Sequence, residues 1–400
     1  MKFKLLNISS MHSGFLESFY KKYPQSGQLS YDDHYILLMN ETTEFAGSYT
    51  RNFRKLNIDA KCIIANDANL QSKWKSENKI QSESDSDILF EQTCSFKPDI
   101  LWIENLNCLT ADWLSAIKNK IKSIRLIVAY HCSPYNKSIL EKLKKTDFVI
   151  TCTPGLKLAM ENEGIRSFLV YHGFDNDLLP RLENIYDAST KDLVFSGSLI
   201  TGGNFHNSRI SLIENIIKEK IDLALYVTLE KGYRIKAKQF IYILNSLSNK
   251  LKLNRLTDKF QIFEYGRTQV NGYSESLIRS NHQPLYGIEM YKLFKTARIV
   301  LNMHIGVAGD YAGNMRIFEV TGVGSCLLTD NKKNMPFLFD PDKEVVVYDN
   351  QDDCISKIKW LLENETERKT IAESGHKRTI ESHTVQDRCK SIIDIIDNEL

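Results

Sequence analysis

Residues Ala297–Asp330 read ARIVLNMHIGVAGDYAGNMRIFEVTGVGSCLLTD. The stretch describes a buried strand, a loop of small residues, a short helix and a second buried strand. Polar Asn302 and His304 stand where the first strand should end. Asn314, Arg316 and Glu319 fall together at the start of the helix, and Gly322 and Gly324 turn the chain into the next strand. In parallel α/β sheets, ligands bind beyond the carboxyl ends of the strands, often against helix N-termini. A cation, a carboxylate and amides in that place suit an anionic, hydroxyl-rich ligand of the nucleotide-sugar kind.

Working outward, similar apolar runs alternate with helical patterns along the whole chain. In the first half they are Phe3–Ile8, Lys61–Ala65, Asp99–Ile103, Arg125–Tyr130, Asp147–Thr151 and Ser167–Tyr171. In the second half they are Asp192–Ser196, Leu223–Thr228, Phe260–Phe263, Arg298–Met303, Ser325–Thr329 and Glu344–Tyr348. Continuous apolar strands separated by helices predict parallel sheets covered on both faces. Two such sets predict an α/β protein of two doubly wound, Rossmann-like domains, residues 1–180 and 190–383, with the polar stretch Asp175–Lys191 as the boundary. The tail, residues 384–400, places Val385, Cys389, Ile392, Ile393 and Ile396 at helical spacing and is expected to pack back on the first domain. Gln71–Asp87 is polar and reads as an exposed loop or frayed helix.

Bulk properties agree with two ordinary domains. The chain has 400 residues, 42% apolar and 26% charged, with a net charge of +2. That balance argues against a dedicated nucleic-acid binder. The eight cysteines are scattered without a C-x-x-C pair and read as buried free thiols, so no metal site is expected. The chain opens directly on a short strand, so no signal peptide is expected, and no run approaches the ~20 apolar residues of a membrane span. A cytoplasmic setting is expected, with peripheral contact at the inner membrane face allowed by the basic clusters Lys118–Arg125 and Lys231–Lys238.

No G-x-G-x-x-G or G-x-x-x-x-G-K-[ST] follows any strand, which disfavours a dinucleotide-dependent dehydrogenase and a P-loop NTPase. Ser13 and Gly14 follow the first strand, where a glycine lets backbone approach a ligand. The second domain opens on LVFSGSLITGGNFHNSR, in which a loop holding Gly197 leads to a helix near Asn207. Loop N–H groups, with His206 and Arg209, would meet a diphosphate there. Glu319 and Arg316 are three apart, so the plain alternative is a surface ion pair of about 0.3 kcal/mol. The functional alternative has Glu319 accepting from ribose hydroxyls and Arg316 facing phosphate or bracing Glu319. The D-x-D pairs Asp85/Asp87, Asp175/Asp177 and Asp340/Asp342 could hold Mg²⁺ and a sugar-nucleotide diphosphate, but none follows a strongly buried strand in a suitable context, and they read as solvated loops.

These residues resemble a family. NDANLQSKW (Asn66–Trp74), FKPDILWIE (Phe96–Glu104), HGFD (His172–Asp175), LVFSGSL with HNSR (Leu193–Arg209), YGIEMYKLFKTARIVLNMHI (Tyr286–Ile305), NMRIFEVTGVGSCLLTD (Asn314–Asp330) and EVVVYDNQDDCISKI (Glu344–Ile358) stand in the order seen in GT-B glycosyltransferases of the group 1 superfamily, in the branch of CgeB-like proteins. The resemblance implies two facing domains, acceptor on the first and nucleotide sugar on the second, with Glu319 as the ribose-binding glutamate. Related retaining enzymes carry a further glutamate eight residues earlier. Here that place holds Tyr311, beside Asp310.

The implied reaction moves a sugar from a nucleotide-diphosphate donor to a hydroxyl of a glycan or lipid-linked glycan, in polysaccharide or cell-surface glycan assembly. No cofactor or obligatory metal is expected: Arg209, His206 and loop N–H groups would stabilise the departing diphosphate. Asn314 and Glu319 would hold the nucleoside, Asn302 and His304 would line the donor pocket, and Tyr286, Glu289 and Tyr291 would lie near it, with Met290 and Tyr291 at helical spacing equally suited to the core. An inverting course needs a base, for which Glu104 and His131, each following a strand, are the candidates. The alternatives are a sugar-nucleotide epimerase or glycan phosphorylase on the same fold, or a non-catalytic scaffold.

Overall fold

The computed structural model describes residues 3–82, 84–183, 185, 191–201, 207–250, 269–306 and 309–400. Among them are twelve strands in two six-stranded sheets, parallel throughout. The first sheet comprises β1 (Lys4–Ser9), β2 (Asp59–Ile64), β3 (Ile100–Ile103), β4 (Leu126–Tyr130), β5 (Phe148–Thr151) and β6 (Ser167–Leu169), in the order β2-β1-β3-β4-β5-β6. The second comprises β7 (Lys191–Leu199), β8 (Leu223–Leu229), β9 (Asn281–His282), β10 (Ala297–Asn302), β11 (Cys326–Asp330) and β12 (Val346–Tyr348), in the order β12-β11-β10-β7-β8-β9. In each sheet the winding reverses once, between β1 and β3 and between β7 and β10. Those reversals open a crevice at the carboxyl ends, where such folds bind ligands.

The apolar runs form strands because helices cover both faces. Alternate residues divide between two cores: Leu5, Ile100, Trp102 and Val128 enter one, while Leu6, Leu101, Ile103 and Ala129 enter the other. The second sheet divides Val194, Val300 and Leu327 from Leu193, Ile299 and Leu328 in the same way. The last helix, Val385–Glu399, starts at a Thr384/Asp387 capping box and lays Val385, Cys389, Ile392 and Ile396 into the first sheet's core beside Phe45, Tyr49 and Trp102. Full burial of each isoleucine is worth roughly 1.5–3 kcal/mol.

Several expectations need correction. Gln71–Asp87 is not one exposed loop: helix Ala68–Glu77 runs into it and buries Leu70, Gln71 and Trp74. β7 does not stop at Ser196 but pairs with β8 as far as Leu199, so Gly197 lies in the strand. Asp175 is not a solvated loop residue. It is buried, bonded by Arg51 at 2.8 Å and Asn52 at 3.1 Å. β9 carried no apolar signal, and the expected strand Phe260–Phe263 lies outside the described residues.

The two halves interlock behind the cleft. Phe174 pairs with Thr384 as an isolated bridge, and a Cβ on Gly322 would stand 2.2 Å from the Phe174 ring. Gly322 is therefore required by this close approach. No helix among the described residues is long and apolar enough to cross a membrane.

Candidate active site

Between the sheets lies a cleft of about 570 Å³. From the second sheet it is lined by Phe195–Ser198, Arg209, Asn302, Asn314, Arg316 and Glu319, and from the first by His12, Thr43, Glu44, Phe45 and Glu104. β7 makes this possible by outrunning β10: their pairing ends at Val194, so the edge of Ser196–Leu199 is not paired to β10. Gly197 adds no side chain to that edge, where a Cβ would already touch Phe195 and Arg209.

Glu319 is buried rather than part of a surface pair. Its carboxylate accepts from Arg316 Nη1 at 2.7 Å and from the Tyr291 hydroxyl at 3.2 Å. Arg316 therefore braces Glu319, and also lies over the Phe294 ring at 4.5 Å. Burial and the Glu319 charge push the Tyr291 phenol well above its ordinary range, so it stays a donor. A carboxylate offers about four lone-pair sites, so two remain for a ligand.

Asn302 ends β10 and is bonded on both sides. Its Nδ2 donates to Thr329 at 2.9 Å and its Oδ1 accepts from Asn314 at 2.7 Å. The loop carrying Asn314 is pinned by Asn334, which accepts from Ala312 N–H at 2.6 Å and donates to Ala312 O at 2.8 Å. His304 Nδ1 lies 2.7 Å from Asp330, whose carboxyl burial would raise but which the His304 bonds and charge hold at about 2. His304 Nε2 and Asn314 Oδ1 are buried without a hydrogen-bond partner among the described residues. Leaving such atoms unpaired costs about 1–3 kcal/mol each, a cost that a ligand would relieve.

Arg209 donates through Nε and Nη2 to the Met303 carbonyl, with the Nε bond at 2.9 Å. Burial lowers its guanidinium to about 10, still fully charged at neutral pH. Two donors fixed on one carbonyl leave Nη1 directed near Gly197. His206, expected beside it, lies outside the described residues.

The first-sheet wall carries two carboxyls. Glu104 follows β3 and accepts from the Ser9 hydroxyl. Burial pushes it up to about 8, with the charge of Glu44 adding to the rise. Burial likewise pushes Glu44 up to about 7, although it accepts from His12 N–H at 2.8 Å. The structure thus brings Glu104 to the cleft. His131 does not line it: the ring rests by Ser133 and Tyr135, and burial lowers its pKa.

Glu289 is also away from the cleft, paired with Lys292 at 2.8 Å. Asp310 pairs with Lys333 at 2.6 Å on the surface, and Tyr311 lies against Gly155, so neither puts a carboxylate into the cleft. Gly14 serves a ring rather than a ligand: a Cβ there would stand 2.4 Å from Tyr286, which stacks on His12 with centroids 4.8 Å apart. Sequence reasoning missed Glu44, His12, Tyr226 and Thr228. The only trace of Glu44 was its place at the end of the polar run before helix Phe45–Lys55.

Residues 245–394, which include β10 and the Asn314–Glu319 segment, match the family model described as glycosyl transferase-like. No curated protein matches the sequence. The whole chain superposes on several solved structures at low identity. An alpha-glucosyltransferase in complex with UDP-glucose and DNA containing an abasic site aligns with a TM-score of 0.58 at 11% identity, over 99% of this chain and 100% of the other. A glycosyltransferase from Rickettsia africae ESF-5 aligns at 0.54 and 11% identity, over 98% and 97%. Sucrose-phosphate synthase from Thermosynechococcus elongatus aligns at 0.54 and 8% identity, over 99% and 98%. With its two parallel sheets and the cleft between them, the chain has the GT-B fold, and over residues 245–394 it is similar to the glycosyl transferase-like family.

Proposed function

We propose that the protein transfers a glycosyl group from a nucleoside-diphosphate sugar to a hydroxyl of a glycan or lipid-linked glycan. The carrying observation is the convergence of Arg209, Asn302, Asn314 and the braced Glu319 on one cleft wall, opposite Glu104. The family match over 245–394 spans all of these except Arg209 and Glu104, and a neighbour of the same fold is solved with UDP-glucose. The acceptor class, a place in polysaccharide assembly and the narrower CgeB-like placement rest on the sequence resemblance, and contact with the inner membrane face rests on the basic clusters Lys118–Arg125 and Lys231–Lys238.

In this reading Glu319 accepts from the ribose hydroxyls, Asn314 Oδ1 accepts from a ligand donor, and His304 Nε2 completes its hydrogen bonding on the ligand. The acceptor oxygen attacks the anomeric carbon while the bond to the diphosphate breaks and its electrons stay with the diphosphate. Arg209 stabilises that growing charge through a donor already aimed and desolvated, without a metal. The acceptor proton passes to the Glu104 carboxylate, whose pKa near working pH suits a general base.

Calorimetry with UDP, GDP, dTDP and CMP on the wild type selects the nucleotide. Against that nucleotide E319A is expected to bind about 10–100-fold more weakly, since each hydrogen bond to a charged group is worth about 1.5–3 kcal/mol. E319Q, which keeps an acceptor for Tyr291, is expected to fall between the two. Unchanged affinity in a folded E319A sinks the assignment.

A further inference from the structure

The carboxyl ends of three neighbouring strands bring together side chains that the sugar-transfer reading does not use. Cys132 follows β4, Cys152 follows β5 and His172 follows β6. One ligand atom from each lies within 4.8 Å of the others, and this is the only group of three or more metal-capable side chains of its kind among the described residues. We propose that Cys132, Cys152 and His172 bind a zinc-class divalent cation, with one coordination position open to the interdomain space.

Two thiolates and an imidazole match the borderline-soft donor set of zinc and exclude magnesium and calcium, which take oxygen ligands. Metal–sulfur bonds of about 2.3 Å and a metal–nitrogen bond of about 2.0 Å place tetrahedral ligand atoms roughly 3.5–3.8 Å apart. Reaching that from separations of up to 4.8 Å takes a side-chain rotation, and Cys132, on the segment after β4, is only partly buried and lines a cavity. The imidazole is oriented from outside the cluster by the Tyr130 hydroxyl, 2.9 Å from His172 Nδ1, while Arg388 Nε donates to the His172 main-chain carbonyl at 2.9 Å and fixes the backbone there. Such outer partners fix the ring of a metal-bound histidine. Two thiolates also neutralise a divalent charge, which makes partial burial of the ion affordable.

Three protein ligands leave a position for a small oxygen ligand. Cys132 and Cys152 line a cavity of about 280 Å³ that also reaches Thr153, Ser198, Arg209, His304 and Asn314. An ion there faces polar groups of the second sheet, so its open position admits water or an anionic oxygen. The site stands whether or not the cleft carries out sugar transfer.

The test uses the full chain, reduced and stripped with a chelator, then titrated separately with Zn²⁺ and with Co²⁺ as a spectroscopic probe. One equivalent of Co²⁺ is expected to bind with thiolate-to-cobalt charge-transfer absorption and the intense visible bands of a tetrahedral ion, and binding is expected to release thiol protons. C132S and C152S should each weaken Co²⁺ binding by more than about 100-fold, and Y130F by about tenfold. C94S, which removes a partly exposed thiol outside the cluster, should bind as the wild type. Melting curves of the metal-free variants separate lost ligation from lost fold, and H172N provides a third ligand variant if a serine variant unfolds. Absence of the charge-transfer band, or its survival in C132S and C152S, overturns the site. Loss of two titratable thiols on mild oxidation, with no metal uptake by the reduced protein, also overturns it and makes the pair a disulfide switch.

Discussion

The second-sheet wall of the cleft holds polar groups already committed to one another, while the first-sheet wall holds carboxyls whose ionisation is shifted up to near neutrality. On the former, Arg316 closes on Glu319, His304 on Asp330, Asn302 on Thr329, and Arg209 on the Met303 carbonyl. Each pairing spends part of a side chain's capacity and fixes the remainder in direction. On the latter, Glu104 and Glu44 lie in surroundings that raise them to about 8 and about 7. Fixed charges and dipoles suit a wall that must receive developing charge without rearranging. Groups titrating near neutrality suit a wall that must move a proton.

The sharpest way to break this contrast is Arg209→Ala. The guanidinium is the one cation of the second-sheet wall whose charge is not paired with a carboxylate by a salt bridge among those described. Removing a preorganised donor to a developing oxyanion costs about 10²–10³ in turnover. Steady-state kinetics on R209A should show that loss in kcat, with donor KM changed far less. R209K should recover little, because an ammonium cannot chelate the Met303 carbonyl and keep a third donor in a fixed plane. Turnover within about twofold of wild type would remove Arg209 from the leaving group.

The complementary test is Glu104→Gln on the other wall. A base active as its carboxylate predicts kcat/KM rising with pH and levelling above about 8. E104Q should lower the plateau by about 10² and flatten the slope. A matching readout is stability. Both carboxyls lie above their ordinary value of 4.5, so each adds protons to the folded state relative to the unfolded chain, up to about 8 for Glu104 and about 7 for Glu44. Their contribution to stability falls as pH rises through that window. Buried His383, lowered to about 4, acts in the opposite sense below its ordinary value of 6.5, so the readout is the difference between wild type and E104Q. Urea midpoints of the wild type should fall relative to those of E104Q between about 4.5 and 8. A difference that does not change with pH over that range would contradict the raised Glu104 carboxyl.

Most of the fold was legible because strands buried on both faces must be apolar without a break, and the parallel sheets here are of that kind. β9 escaped because its two polar residues are held by the β8 ladder and by the Asn281 side chain bonding the Val227 backbone, neither of which leaves a mark on hydropathy. Asn302 and His304 were legible as polar residues ending an apolar run, and Glu319 through its spacing to Arg316. The partners that define their state were not: Tyr291 approaches Glu319 from 28 residues away, and Asn334 reaches the Asn314 loop from beyond β11. Glu44 is placed by His12 across 32 residues. Cys132, Cys152 and His172 carry no motif spacing, and only the strand order β4-β5-β6 makes them neighbours.

The smallest expected effect concerns where the two walls touch. Tyr286 of the second half stacks on His12 of the first, and Gly14 leaves the space its ring fills. An aromatic pair is worth about 0.5–1.5 kcal/mol beyond its buried area. If that contact helps hold the walls at binding distance, losing it lowers the competent population, and apparent affinity falls by the same factor. Tyr286→Leu should therefore raise the donor Kd by at most about fivefold, the equivalent of about 1 kcal/mol. Tyr286→Phe, which keeps the ring, should not. kcat should stay near wild type in both, because Tyr286 is assigned no charge to stabilise and no proton to carry. A kcat loss in Y286F comparable to that of E104Q would place the hydroxyl in the chemistry and make the aromatic contact part of the first-sheet wall's proton path rather than a strut between walls.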